Sequence, residues 1–286
     1  APEEYKVLME RLPWRGPGCT GIIAHDKSDG GSVWHARNLD FAPVSTFRPL
    51  IWNAVFKKGG KELFRAQMVA GYTMVVTAAR WDTDNGYAVE RNTRYADHIG
   101  GNREMFKNLE SGRPLNGWVL RKVLEEIADY ETAVKKIGES QFVSTEYSII
   151  SGVQKGTILA KSPDGVAHAQ VLGGKKKGDG EDYIIITNFD YFWHDVREYF
   201  DPTAGGGFFI NPTRRQAAQK ILNATAKSAS LTGDVLFDTI NAPYVLADTV
   251  FQAVINVEKR VWNISRPLLA SKDLAGEGSG QAAVYV

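Results

Sequence analysis

One cysteine is the first residue in this chain that could carry chemistry. Cys19 is the only cysteine among 286 residues, and it follows a Gly-Pro-Gly sequence and opens a β-forming run, TGIIAH. A lone cysteine cannot form an internal disulfide, so it is either a small buried apolar residue or a nucleophile. Charged neighbours would favour the second reading, because a cationic side chain stabilises the thiolate.

Two charged residues are predicted to lie beside this cysteine. The runs TGIIAH and SVWHARNLDF flank an Asp-Gly-Gly turn, which predicts a β-hairpin. The end of the second strand then lies beside the start of the first, so Arg37 and Asp40 are expected near Cys19. Arg37 would favour the thiolate, and Asp40 would hold an ammonium group or orient Arg37. On residue types alone, such a pair is more often a structural salt bridge.

A papain-like cysteine protease would also need a histidine base. The chain has five histidines: His25, His35, His98, His168 and His194. None has a recognisable flanking motif, and together they lack metal-ligand spacing. We therefore expect structural or surface histidines, no metal site and no cofactor.

Composition narrows the function classes further. Lys plus Arg (34) nearly balance Asp plus Glu (33), which gives no electrostatic basis for nucleic-acid binding. Hydrophobic residues make up 43% and charged residues 23%, an ordinary globular mix. No stretch approaches the roughly 18 to 20 apolar residues of a membrane span. Glycosylation sequons at Asn223 and Asn263 are a weak indication of the secretory route.

Hydrophobic patterns along the chain predict one α+β domain with two antiparallel sheets and two helix layers. Strands are expected over 20–25, 32–41, 50–58, 61–69, 72–79, 87–95, 146–152, 156–162, 166–172 and 182–190, with a closing hairpin over 248–264. Helices are expected over 116–130, 131–139, 211–225 and 232–242. The third helix would have Asn211 near its cap and Pro212 in its first turn.

The motifs, taken in order, resemble a known family. CTGIIAHD followed by HARNLDF is similar to the start of the catalytic chain in the N-acylethanolamine acid amidase and acid ceramidase family. That family usually shows Cys-Thr-Ser-Ile-Val-Ala and then His-Gly-Arg-Asn-(Leu/Met)-Asp-(Phe/Tyr). The likeness continues through VAGYTMVVTAARW, RNTRY, EYSIISG, ITNFDYFW and RRQAAQKILNAT. Five motifs in register are far more specific than one.

The resemblance implies an N-terminal nucleophile (Ntn) hydrolase with an αββα sandwich, related to the choloylglycine hydrolases. Such enzymes are made as inactive precursors, and the bond before the nucleophile is cut autocatalytically, here Gly18–Cys19. The freed α-amino group then serves as general base, so no histidine is needed. Residues 1–18 would be the tail of the propeptide-derived α-chain, and residues 19–286 the catalytic domain. A glycine at position 18 would allow a strained scissile bond.

The same resemblance implies roles for other residues. Asn188 in TNFD matches an Asn whose side-chain amide would donate to the oxyanion, and Asn92 in RNTRY matches an Asn near the same oxyanion hole. Arg214 and Arg215 match an Arg pair, of which one is expected to reach the active centre. Cys19 would be the nucleophile.

Arg37 and Asp40 match the family's Arg and Asp, but two other positions depart from the pattern. Thr93 replaces the Glu of Asn-Glu-Arg-Phe, and Gly21 replaces the Ser after Cys-Thr. The first change leaves the family's carboxylate without a counterpart at that position. Both changes favour one alternative of a different class, a catalytically silent lipid-binding homologue.

The substrates implied by the resemblance are lipid amides, most favourably N-acylethanolamines. The candidates for an apolar acyl slot are Phe47, Ile51, Trp52, Phe56, Met74, Trp81, Tyr147 and Trp193. A membrane surface or lipid activator, the cleaved α-chain fragment, and a lysosomal or secretory location are expected as well. Acid ceramidase, another N-acyl amide hydrolase or an acyltransferase stay open. The lone cysteine favours the ethanolamide branch, because the ceramidase branch resembles a disulfide-bearing protein.

Overall fold

The structure is a computed structural model, and it describes residues 18–96, 101–174, 178–199, 212–246 and 248–267. The predicted α-chain tail therefore lies outside the described residues except for Gly18, and so do His98 and Asn211. Everything that follows concerns the described part of the chain.

Two antiparallel sheets dominate the described residues. Their strands are β1 (Gly18–Asp26), β2 (Ser32–Asp40), β3 (Ile51–Lys58), β4 (Lys61–Val69), β5 (Thr77–Arg80), β6 (Tyr87–Thr93), β7 (Glu146–Gly152), β8 (Lys155–Ser162), β9 (Gly165–Val171), β10 (Tyr183–Ile186), β11 (Thr249–Asn256) and β12 (Val261–Ser265). One sheet has five strands in the order β10-β1-β2-β11-β12, and the other runs in sequence order from β3 to β9. Strand β1 is an interior strand of the first sheet, paired with β10 along one edge and with β2 along the other.

Helices connect and cover these sheets. They are α1 (Val44–Phe47), α2 (Gly101–Glu110), α3 (Asn116–Glu126), α4 (Tyr130–Glu139), α5 (Arg214–Ala226) and α6 (Gly233–Asn241). Short 3-10 turns lie at Lys27–Asp29, Arg48–Leu50, Tyr191–Trp193 and Val196–Tyr199. Among the described residues, these helices are all too short or too polar to cross a membrane.

Buried apolar side chains order these elements into four layers. Leu120 and Leu124 of α3 and Ile137 of α4 pack on the outer face of the seven-stranded sheet. Helices α5 and α6 cover the outer face of the five-stranded sheet through a second cluster that includes Leu222 and Ile240. Two further clusters lie between the sheets. The predicted αββα order is confirmed, and each layer follows from a hydrophobic face that needs cover.

The first hairpin, which carries the candidate site, has the predicted turn. Gly30 and Gly31 have φ values of +65° and +87°, a region that glycine enters without steric cost. The turn sets a register in which Gly21 lies opposite Arg37 and Cys19 opposite Leu39. This short turn therefore decides which side chains share a face with Cys19.

Several local predictions differ from the structure. Strand β10 ends at Ile186 and helix α3 at Glu126, each four residues before the predicted end. Strand β5 begins at Thr77, because the Val75 N–H donates to Gly117 O at the start of α3 instead of pairing in the sheet. Helix α5 begins after Pro212: Thr213 is its N-cap, in a capping box with Gln216. Helix α2 was not predicted, since its sequence GNREMFKNLE is largely polar.

Candidate active site

Cys19 and Arg37 meet in the space between the two sheets. Alternate residues of a strand share a face, and the register places Arg37 diagonally across from Cys19 on the same face. The Arg37 guanidinium donates to Cys19 Sγ at 3.3 Å and to Thr77 Oγ1 at 2.6 Å. It also lies over the Phe251 ring, 5.2 Å from the ring centroid. The predicted proximity of Arg37 to the cysteine is present.

Asp40 lies on the opposite face of strand β2 from Arg37. Positions three apart in a strand point to opposite sides of the sheet, so Asp40 faces the layer of α5 and α6. It accepts from Thr249 Oγ1 at 2.6 Å and forms an ion pair with Arg214 at 3.2 Å. In the structure Asp40 is thus the partner of Arg214 and does not orient Arg37.

The two adjacent arginines at the start of α5 point in different directions. Arg214 is buried and donates to Cys19 O at 2.8 Å and to Asn188 Oδ1 at 2.6 Å. Arg215 forms a two-pronged ion pair with Glu198 and stacks on the Tyr191 ring. Neighbouring helix positions differ by about 100° around the axis, so only one can face the strand below. Arg214 reaches the candidate site, and Arg215 does not.

Asn188 holds the backbone of the cysteine. Gly21 pairs with Ile186 in the sheet, so the same ladder, continued by two residues, brings Asn188 opposite Cys19. Its Oδ1 accepts from Cys19 N at 2.9 Å, and its Nδ2 donates to Thr93 O at 2.8 Å. One N–H of the side-chain amide is therefore engaged, and the second has no partner among the described residues, so it is available for the predicted contact to an oxyanion.

Asn92 is the second predicted oxyanion residue. It is fully buried in β6, and neither of its side-chain polar atoms has a hydrogen-bond partner among the described residues. It shares a face with Glu90, which touches the space beside Gly21 of β1. A buried amide without partners is costly, and its free donor and acceptor suit a bound polar group.

The thiol itself is shielded from water, with charged side chains around it. Burial raises the pKa of the Cys19 thiol to about 11, and the carboxylates of Glu90 and Asp40 add to the rise. Arg37 and Arg214 oppose it. The group is consequently a neutral thiol near neutral pH, and it needs a base to become a nucleophile.

Other residues at the site were not found from the sequence. Glu90 of β6 forms an ion pair with Arg37 and a 2.8 Å contact with His35. Arg94 and Asp190 form a buried two-pronged ion pair near Asn188. Asp190 follows Asn188 by two residues, and Arg94 follows Thr93, whose carbonyl oxygen accepts from Asn188 Nδ2. Arg94 and Asp190 belong to the RNTRY and TNFD motifs, so motif membership was the available signal. For Glu90, strand alternation with Asn92 could have placed it on the inner face.

The histidines do not supply a base to the cysteine. His35 lies between Glu90 and Ser151, His25 contacts Gly31 O, and His168 stacks on Phe192. Within the described ranges, none of them makes a contact with Cys19. A papain-like arrangement is therefore absent from this part of the chain.

The candidate acyl-slot residues are divided by the fold. Phe47, Ile51 and Trp81 belong to the inter-sheet cluster that includes Phe251, the ring beneath Arg37. The others lie elsewhere: Phe56 packs on the outer cluster, Tyr147 donates to Asp190, Met74 lies before β5, and Trp52 and Trp193 are exposed. The first three thus share a cluster with the ring that lies under Arg37, and Tyr147 belongs to the other cluster between the sheets.

Comparison with known proteins finds two kinds of relative. The chain is 27% identical over 241 residues to an N-acylethanolamine-hydrolyzing acid amidase of Rattus norvegicus, which covers 83% of this chain and 60% of that protein. It is 25% identical over 259 residues to an acid ceramidase of Homo sapiens, with 84% and 60% covered. The chain is a homologue of these proteins. No family model matches it.

A solved structure shows the fold. The Caenorhabditis elegans N-acylethanolamine-hydrolyzing acid amidase ortholog superposes with a TM-score of 0.66 at 22% identity, covering 84% of this chain and 93% of that one. The predicted α+β sandwich of two antiparallel sheets and the predicted resemblance are both confirmed. The chain spans about 60% of the length of the two curated relatives named above.

Proposed function

We propose that this chain is a cysteine amidase that hydrolyses lipid amides of the N-acylethanolamine type. One observation carries the proposal: the sole cysteine has its thiol on Arg37 and its backbone N on Asn188. The second contact is what an N-terminal nucleophile needs, because it holds the position that a free α-amine would take. The names of the homologous proteins support the choice of lipid amides.

Activation would require cleavage of the Gly18–Cys19 bond. Gly18 is the first residue of β1 and pairs with Asp40, so the bond lies on the ladder beside the buried ion pair. In the uncut chain the Cys19 nitrogen is an amide and cannot accept a proton. After cleavage it becomes an amine, still within reach of Asn188 Oδ1. Cys19 then carries a base on the same residue as the thiol that needs one.

The catalytic cycle follows from these contacts. The α-amine takes the thiol proton as sulfur attacks the amide carbonyl carbon, and the carbonyl oxygen becomes an oxyanion. Asn92 and the second N–H of Asn188 would donate to that oxyanion. The α-amine then passes that proton to the nitrogen of the substrate amide. The C–N bond breaks, the amine product leaves, and a thioester remains on Cys19. Water then attacks the thioester, and the fatty acid leaves as sulfur regains its proton.

The substrate choice rests on the relatives and on the apolar inter-sheet cluster near Arg37. An acyl chain would lie along that cluster, next to Phe47, Ile51 and Trp81. Acid ceramidase activity, other N-acyl amides and acyl transfer in the reverse direction are outcomes of the test. A lysosomal or secretory location is part of the proposal, supported by sequons whose asparagines, Asn223 and Asn263, are exposed.

The test combines intact mass with substrate profiling. Wild type and Cys19→Ala are incubated at neutral and mildly acidic pH, and denatured masses are recorded. We expect wild type alone to lose residues 1–18. The processed protein is then given an N-acylethanolamine and a ceramide with the same acyl chain. Lipid binding without turnover or cleavage in wild type would favour the silent homologue and overturn the proposal.

A further inference from the structure

A fully buried carboxylate beside the cysteine has no role in the cycle described above. Glu90 is 0% exposed, and its Oε2 lies 2.8 Å from His35 Nε2. Its Oε1 lies 3.6 Å from Arg37 Nε, and neither of these two atoms has a hydrogen-bond partner among the described residues. An unmet donor and an unmet acceptor therefore face each other across a gap little longer than a hydrogen bond.

Glu90 also occupies the space of a missing side chain. A Cβ atom built on Gly21 would lie 2.8 Å from Glu90 Oε1 and 3.0 Å from Glu90 Oε2. It would lie 3.0 Å from Ile149 Cδ1 as well. Real Cβ atoms do not approach neighbours that closely, so a residue with a side chain at position 21 would displace the carboxylate. The departure from Ser at position 21 thus has a structural counterpart in Glu90.

We infer that Glu90 acts on Cys19 through the charge of Arg37, and that Gly21 makes room for it. The inference rests on the proposed function, in which Cys19 is the nucleophile. Arg37 lies between the two groups, with Nη2 on the sulfur and Nε toward the carboxylate. Glu90 offsets the positive charge of the guanidinium, so that Cys19 stays a thiol until the α-amine takes its proton.

Arg37 does not depend on Glu90 for its place. Its Nη1 donates to Val76 O at 3.0 Å and to Thr77 Oγ1 at 2.6 Å. Removing only the charge of Glu90 should therefore leave the guanidinium on the sulfur. The charged and titratable groups around this unit are Arg37, Asp40 and His35 on β2, Glu90 and Arg91 on β6, and Arg214 on α5.

The charge effect is tested by alkylation, which needs no enzymatic activity. Cys19 is the only cysteine, so intact mass after iodoacetamide treatment reports its reaction alone. Rates are measured between about pH 6 and pH 9. Because Cys19 is 2% exposed, they depend on access to the sulfur as well as on the thiolate fraction, so the free energy of unfolding of each protein is measured beside them. We expect Glu90→Gln to react about threefold to tenfold faster than wild type at each pH, a shift of half to one pKa unit.

Ser151→Ala is the matched control. Ser151 Oγ contacts His35 Nδ1 at 3.0 Å, and His35 contacts Glu90. This change therefore removes a hydrogen bond from the Ser151–His35–Glu90 series at the end away from Arg37. It should react at the wild-type rate, and all three proteins should react equally in denaturant. A folded Glu90→Gln protein that reacts at the wild-type rate or more slowly would overturn the inference.

The steric part is tested by a double-mutant comparison. Gly21→Ser should lower turnover in the wild-type background, because the new side chain moves the carboxylate. In a Glu90→Ala background the same substitution should cause no further loss. Equal losses in both backgrounds would show that Gly21 and Glu90 are independent. If wild type fails to hydrolyse lipid amides, the proposed function fails, and the alkylation rates still decide the role of Glu90.

Discussion

Two arginine–carboxylate pairs lie on opposite sides of Cys19, and they differ in how completely they are bonded. The Arg214–Asp40 pair, on the helix side, is joined by hydrogen bonds to the cysteine backbone and to Thr249. The Arg37–Glu90 pair, between the sheets, leaves one atom of each partner without a hydrogen bond.

The difference follows from what each pair touches. Arg214 contacts the Cys19 carbonyl oxygen and Asn188, so it braces the main chain where the α-amine would form. Arg37 contacts the sulfur, so it acts on the reacting atom. We infer that the helix-side pair serves mainly geometry and the inter-sheet pair mainly charge. The predictions below separate these two effects.

The largest effect is expected from Arg214→Ala. Removal of this side chain breaks the contacts to Cys19 O and Asn188 and takes a buried cation away from Asp40. The free energy of unfolding should fall by about 3 kcal/mol or more. Turnover should fall by at least about a hundredfold. Denaturant unfolding and kcat/KM are the measurements. Arg215→Ala is the matched control, and a comparable loss of turnover there would contradict the assignment of Arg214 to the site.

Arg37→Ala should lower both turnover and the free energy of unfolding, because it leaves the fully buried Glu90 carboxylate without this cation. The guanidinium favours the thiolate, and its loss should lower kcat/KM by about tenfold to a hundredfold, or roughly 1.4 to 3 kcal/mol. Arg37→Lys keeps the charge but not the planar fork, so it should recover part of the rate. Arg65→Ala, at a half-exposed ion pair with Glu62, controls for loss of an arginine. No recovery with lysine would indicate that charge is secondary.

Asn188→Asp should change the pH dependence. The carboxylate would lie against the α-amine of the processed enzyme and favour its protonated form, which raises the pKa of that amine. Because the base must be unprotonated, the acidic limb of kcat/KM should move to higher pH by about one unit. A pH–rate profile of wild type and variant checks this. An unmoved limb would mean that the amine is not the base.

The smallest effect is expected at the helix caps. Thr213→Ala and Thr232→Ala each remove a side-chain N-cap and should each cost about 1 kcal/mol of unfolding free energy. Only Thr213 precedes Arg214, so only that variant should also reduce turnover. Unfolding curves and kcat measured on both proteins test the comparison. Equal turnover in the two variants would show that the cap does not help to place Arg214.

Much of the fold was predictable because it depends on local pattern. The hairpins around Gly30-Gly31 and Gly59-Gly60, and the closing hairpin, follow from alternating apolar residues and turn glycines. Helix α2 and the late start of β5 were not predictable in this way. The first has no strong apolar stripe, and the second is set by a contact with a helix some forty residues away.

The site was predictable only in part. The hairpin alone placed Arg37 beside Cys19, because diagonal neighbours on one face follow from register. It did not show that Asp40 faces the other side of the sheet and binds Arg214. Strand alternation contained that information, but the partner on the far side came from a helix more than 170 residues away in sequence.

By itself the sequence determined the strands, the turn glycines and the position of a single thiol at the start of a strand, since these depend on residue type and short-range spacing. Only the tertiary structure decided that Arg214 and not Arg215 reaches the cysteine, and that Glu90 fills the space left by Gly21. The physical reason is the same in both cases. Each depends on how one layer sits on another, and the packing of layers is a long-range property that no local pattern encodes.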